Sequence, residues 1–162
     1  MTSTDAFDAL PPPAAVAALL TVCSSTRWAE AVTAGRPYGD LDALLAAGDT
    51  ALAELDDLGD ALAGHPRIGA RTVHSAASAK EQSGMADASD EVRAAMAAGN
   101  VEYERRFGHV YLVCAAGRSA DELLAVLTER LDGTAEQEAA RTRSELAAIN
   151  RLRLTALIVQ DR

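Results

Sequence analysis

The chain is poor in aromatic residues: Phe, Trp and Tyr account for 4% of its 162 positions, although 49% are hydrophobic. Its core must therefore come from alanine, leucine and other small or aliphatic side chains, most of them good helix formers, and this predicts an all-α protein. Cysteine is scarce as well. Cys23 and Cys114 lie far apart with no CxxC, which excludes a zinc knuckle and a disulfide framework and points to a reducing cytoplasm. The 11 glycines and 5 prolines gather in no long polar stretch, so no linker divides the chain, and one domain spanning 1–162 is expected. Positive charge is in deficit, with 15 Lys and Arg against 24 Asp and Glu. The resulting net charge of −9 excludes a nucleic-acid partner, and an anionic substrate would need a local arginine to reverse the potential. No apolar run approaches the roughly 20 residues needed to span a bilayer. The stretch 14–22 lacks the flanks of a secretion signal, because Asp5 and Asp8 stand where positive charge belongs and three prolines precede the run.

Apolar spacing and capping residues order the helices. The first is expected to start within 11–13, where proline costs no bonded N–H, and to run through Leu19, Leu20 and Cys23. A second follows Ser25 or Thr26 and ends at Gly35, and a third starts after the N-cap Asp40 with Leu41, Leu44, Leu45, Leu52 and Leu55 at helical spacing. A further stretch reaches Leu62 and breaks at Gly64-His65-Pro66, and a short helix is expected within 75–84. Val92, Ala95, Met96, Gly99 and Tyr103 share one face of a helix that begins at Ser89 or Asp90 and ends near Gly108. The short apolar run 110–116, rich in β-branched and aromatic residues, has the composition of a strand. A single strand has no sheet to join, so it is expected as an extended segment crossing the helical core. Two capping boxes, Ser119 with Glu122 and Thr134 with Gln137, start the last two helices; the first ends at Gly133 and the second runs to about Leu157.

Few residues stand out as carriers of chemistry. His65 precedes Pro66, which pushes it out of the α region and holds the imidazole at a helix end in stiffened backbone. A group that titrates near neutrality there is suited to acid–base work, and equally to a favourable interaction with the helix dipole. Ser78 and Glu81 share a face if their segment is helical, with His74 one turn earlier; a solvated helix face would look the same. No GxSxG or HExxH accompanies them, and no glycine-rich phosphate loop is present. Arg153 falls on the stripe of Leu146, Ile149 and Leu157, so its guanidinium either meets an anion or snorkels to water.

These positions fall within an ordered set of motifs: His65-Pro66-Arg67-Ile68-Gly69, Ser78-Ala-Lys-Glu81-Gln82-Ser-Gly84, Asn100-Val-Glu-Tyr103-Glu104-Arg-Arg106-Phe107-Gly108, Tyr111-Leu112-Val113-Cys114, Gly117-Arg118-Ser119, Glu122-Leu-Leu124 and Ile149-Asn-Arg-Leu152-Arg153-Leu154. In this order and spacing the chain resembles the OHCU decarboxylases, from about residue 7 to about 158, with Phe7, Cys23, Trp28, Arg36 and Pro37 also at matching places. The resemblance implies an all-α helical bundle that forms a homodimer. It also implies conversion of 2-oxo-4-hydroxy-4-carboxy-5-ureidoimidazoline to (S)-allantoin and carbon dioxide in urate breakdown, with neither cofactor nor metal. It assigns catalysis to His65 and Glu81, and substrate binding to Pro66, Ser78, Arg153 and the segment holding Tyr111 and Leu112. Arg151 stands two residues before Arg153 as an alternative. The chain departs from the family's apolar run at His109-Val110-Tyr111, and no role falls to His74 or His109.

The implied chemistry needs no external electron sink, because the ring C=N beside the leaving carboxylate can accept the electron pair. His65 is then expected to exchange a proton with the hydroxyl or carboxylate at the reacting carbon, Glu81 to orient the ureido and ring N–H groups, and Arg153 to hold an anionic or carbonyl oxygen. The competing expectations are a non-catalytic helical interaction module and a paralogue acting on another ureido acid.

Overall fold

Hydroxyl and carboxylate caps set most helix starts. In the computed structural model, which describes residues 3–70 and 76–160 with the side chains of 3, 76, 77 and 160 aside, Asp40 Oδ1 accepts from Ala43 N at 2.8 Å to start α4 (Leu41–Ala53). Ser25 does the same for α3 (Thr26–Ala34) and Ser89 for α7 (Asp90–Phe107). Ser119 caps α8 (Ala120–Leu131), and Thr134 and Gln137 bond reciprocally, at 3.0 and 3.1 Å, ahead of α9 (Ala135–Gln160). Each such cap contributes about 1 kcal/mol. At the other end of α7, Gly108 takes a left-handed conformation that a side chain would resist.

The remaining helices are α1 (Ser3–Asp8), α2 (Pro12–Leu20), α5 (Gly59–Ala63) and α6 (Ala76–Glu81), the last followed by a 3₁₀ turn over Ser83–Met85. Among the described residues there is no strand, and 110–116 runs without helical structure, as an all-α fold requires. Several boundaries differ from expectation. Helix α1 precedes the proline cluster unannounced, because six residues carry too little periodicity to register. Helix α2 stops at Leu20, and Val22 and Cys23 follow in turns closed onto the Leu19 carbonyl. Helix α8 ends two residues before Gly133, and α9 runs three residues past Leu157.

The chain divides into two compact units, one holding the residues up to Gly64 and those from Ala147 onward, the other running from His65 to Leu146. Helix α9 contributes to both. In the first unit Trp28 is fully buried and its indole donates to the Gly48 carbonyl at 3.0 Å. Gly48 has no side chain to displace Leu154, whose Cδ1 lies 3.0 Å from where a Cβ would stand. Arg36 donates to the carbonyls of Phe7 and Leu10, both at 2.8 Å, and so ties the end of α1 to the residues after α3.

The second unit is built on α7 and α8. Met96, Tyr103, Tyr111, Leu123 and Leu127 form its buried centre, and Gly99 lets Leu127 approach the α7 backbone. Ala95 is exposed although it was expected on the buried stripe, and Asn100 is buried instead.

Candidate active site

The loop that begins at His65 is held by its own backbone, by α7 and by Gln82 in the turn after α6. His65 and Pro66 are half-buried, Ile68 is buried, and Gly69 has φ +79°, a conformation that favours glycine. Asn100 Nδ2 donates to the Ile68 carbonyl at 3.0 Å, and Gly69 N donates to Gln82 Oε1 at 3.0 Å. Arg67 forms a bidentate pair with Glu104, Nε to Oε1 at 2.7 Å and Nη2 to Oε2 at 3.0 Å. Asn100 and Glu104 are one turn apart on α7, so that helix holds the loop at two points.

Ser78 and Glu81 both lie on α6, Ser78 buried and Glu81 half-buried. Glu81 is followed directly by Gln82, so the Gly69–Gln82 bond ties the loop after His65 to the end of the helix carrying Ser78 and Glu81. Beyond it, the 3₁₀ turn packs so closely that a Cβ at Gly84 would overlap the Arg118 carbonyl oxygen. The Cys114 thiol is pushed up in pKa by burial first and then by Glu145, with Glu81 adding to the effect. His74 lies outside the described residues.

Segment 110–116 is anchored by side chains rather than by a sheet. Tyr111 is fully buried with its hydroxyl donating to the Leu123 carbonyl at 3.1 Å, so its phenol belongs to the core. Leu112 is buried, and its carbonyl accepts from Arg130 Nη1 at 2.6 Å. Cys114 N donates to Glu145 Oε2 at 2.9 Å, and His109 Nδ1 lies 3.0 Å from the Val110 carbonyl. Burial pushes the Tyr111 phenol far up from its ordinary pKa, partly opposed by the nearby Arg130.

Arg153 belongs to the first unit. It is half-buried, and its Nη1 donates to the Val22 carbonyl at 3.2 Å. It lies close enough to the Cys23 thiol to counter, together with Ser25 and Asn150, the upward push of burial on that group. One turn earlier on α9, Asn150 is 3% exposed, with its carboxamide beside the Cys23 thiol. Arg151 points elsewhere, pairing with Asp49 at the surface through Nη2 to Oδ2 at 2.6 Å.

Three of the residues that hold the site, Gln82, Asn100 and Glu104, stood within the sequence motifs without a role. Arg130 and Glu138 went unnoticed. Their signal was available, since Ala120, Leu123, Leu127 and Arg130 follow one stripe of α8 and an arginine on such a stripe demands an anion. Among the described residues, no three His, Cys, Asp or Glu side chains are grouped so as to hold a metal ion.

Comparison with known proteins agrees with this architecture. The family profile for OHCU decarboxylase matches residues 8–155. The uric acid degradation bifunctional protein TTL of Arabidopsis thaliana is 28% identical over 144 residues, which cover 83% of this chain and 43% of the plant protein. The chain thus spans less than half the length of that curated relative. Two solved structures share the fold. An OHCU decarboxylase crystallised in the presence of (S)-allantoin superposes with a TM-score of 0.76 at 24% identity, covering 86% of this chain and 96% of that one. An (S)-allantoin synthase superposes with a TM-score of 0.75 at 18% identity, covering 98% of this chain and 54% of that one. On the match across 8–155, this chain belongs to the OHCU decarboxylase family.

Proposed function

We propose that this chain is a cofactor-independent carboxy-lyase of urate breakdown that converts 2-oxo-4-hydroxy-4-carboxy-5-ureidoimidazoline to (S)-allantoin and carbon dioxide, acting as one domain over 1–162. The observation that supports it most is the family match together with the hydrogen bond from Gly69 N to Gln82 Oε1, which links the His65 loop to the helix of Ser78 and Glu81. In this reading the bond to the carboxylate carbon breaks and its electron pair moves into the ring C=N. His65 exchanges a proton with the hydroxyl or carboxylate at the reacting carbon, and Glu81 accepts from the ureido and ring N–H groups. Ser78, Pro66 and the backbone around Tyr111 and Leu112 line the substrate. Arg153 binds an anionic or carbonyl oxygen, a role better suited to it than to Arg151, whose guanidinium already pairs with Asp49. Proton delivery to one face then fixes the S configuration.

The working form is proposed to be a cytoplasmic homodimer with a small-molecule partner and no dealings with nucleic acid or membranes. The net charge is −9, and no described helix is long and apolar enough to cross a bilayer. The test is turnover of freshly prepared substrate followed by the circular dichroism of the allantoin formed, with and without a chelator. A chelator-resistant rate with an S product is expected, and His65→Asn should lower it by about 10²- to 10⁴-fold. Racemic allantoin at the spontaneous rate would remove the activity and leave a helical interaction module or a paralogue with another ureido acid as substrate.

A further inference from the structure

One face of α9 governs how the extended segment lies in the second unit. Glu138, Thr142 and Glu145 follow each other on that face at helical spacing. Glu145 works directly, its Oε2 accepting from the Cys114 amide at 2.9 Å. Glu138 works through Arg130, holding the guanidinium by Nε at 2.6 Å while Nη1 donates to the Leu112 carbonyl, also at 2.6 Å; Thr142 Oγ1 stands 3.5 Å from Nη2 of the same group. In extended backbone, alternate residues turn their polar groups to the same edge, so Leu112 and Cys114 are gripped on one side of the segment. Among the described residues there is no strand to do this work. A single bond would leave such a segment free to turn about its own axis, and two on one edge remove that freedom.

We infer that Glu145 is a positioning residue for the reaction: by holding the Cys114 amide while Arg130 holds the Leu112 carbonyl, it fixes the rotation of the segment that carries Tyr111 and Leu112. The inference rests on the proposed part of that segment in lining the substrate. Both bonds are charge-assisted, the stronger kind, which suits a segment that has no ladder to share the load. Catalysis is sensitive to placement of this sort, since an error of about 1 Å is worth roughly a hundredfold in rate. The two anchors differ in setting. Arg130 and Glu138 are buried and belong to the core of the unit, whereas Glu145 is half-buried, so its bond can be removed with the core left intact. Rate and stability can therefore be separated at Glu145.

The test uses the full chain with Glu145→Met, which removes the acceptor at nearly the same length, and Glu145→Gln, which keeps an acceptor oxygen without the charge. Glu145→Met should melt cooperatively, expose the Cys114 amide to faster hydrogen exchange and lose about 10- to 100-fold in kcat/KM. Glu145→Gln should recover most of the rate and of the protection, with the pH profile of the parent. An unchanged kcat/KM in Glu145→Met despite faster exchange would make the contact merely structural, and exchange as slow as in the parent would mean that the carboxylate does not hold the segment; either result overturns the inference. A Glu145→Gln variant as slow as Glu145→Met, or with a shifted pH profile, overturns it as well, by making the charge rather than the bond the working part. If Glu145→Met does not fold, Glu145→Ala serves the same comparison, and failure of both to fold overturns a role confined to positioning. A parent chain that does not turn over the substrate defeats the functional reading itself, a result separable from the others because it appears before any substitution.

Discussion

Arg130 Nε meets Glu138 Oε1 at 2.6 Å with both side chains at 3% exposure or less, an ion pair closed off inside the second unit. The Tyr103 hydroxyl donates to the same carboxylate oxygen at 2.7 Å, and Arg130 also holds the Leu112 carbonyl. Breaking such a pair costs more than the pair contributes, because the surviving charge stays buried. Arg130→Met is therefore expected to lose about 3–5 kcal/mol in urea denaturation, and the double variant with Glu138→Leu should lose less than the sum of the two single changes. Additive losses would show the two side chains to be energetically independent.

Burial, with the hydrogen bond to Glu138 second, pushes Tyr103 up to about 12. Tyr38 is also raised by burial, with Asp8 adding to the effect, and Tyr111 is raised further still. An unfolded tyrosine ionises near about 10, so between that value and about 12 the native state keeps a proton that the unfolded chain releases. The contribution is complete below the lower value and disappears as pH rises through the upper one. Stability should thus fall steeply on the alkaline side, and Tyr103→Phe should flatten that slope. Phenolate absorbance following pH should show no tyrosine titrating at the ordinary value before unfolding.

Periodicity and capping chemistry made most helix starts legible, since Asp40, Ser25, Ser89, Ser119 and Thr134 each carry the reason for the cap in their own side chain. The extended run 110–116 was legible too, because a lone strand in an all-helical chain has no partner. What holds it was not. Arg130 reaches Leu112 across 18 positions and Glu145 reaches Cys114 across 31, distances over which local pattern carries no information. The same limit hid the grip of Asn100 and Gln82 on the 68–69 peptide, although both residues stood inside motifs that were read. His65, Ser78, Glu81 and Arg153 stood out by residue type and position, while their roles rest on the family resemblance.

Gly84→Ala should be poorly tolerated, because the added methyl would enter the space of the Arg118 backbone oxygen rather than that of a flexible side chain. Overpacking of this kind costs about 1–3 kcal/mol, and relief can come only by moving the 3₁₀ turn away from the residues after the extended segment. Gly108→Ala makes a useful contrast, since space there is open and the cost arises from its positive φ alone. Thermal melting of the two variants should rank Gly84→Ala as the more damaging, and the reverse order would mean that the turn yields easily.

Arg153→Leu separates two roles for one side chain. Its guanidinium donates to the Val22 carbonyl at 3.2 Å, and the helix positions around it, Ile149 and Leu154, are buried. Leucine keeps an aliphatic group on that stripe and removes the charge. If Arg153 binds the substrate, the variant should melt near the parent temperature while affinity for the acid falls, since a charge-assisted hydrogen bond is worth roughly 1.5–3 kcal/mol, or about 10- to 150-fold. A side chain that only snorkels would leave both melting and turnover nearly unchanged. Severe destabilisation would instead mark it as one half of a structural ion pair, and the substrate role would be withdrawn. Melting and steady-state kinetics measured on one preparation distinguish the three, with Arg151→Leu alongside as the surface control expected to leave kcat/KM intact.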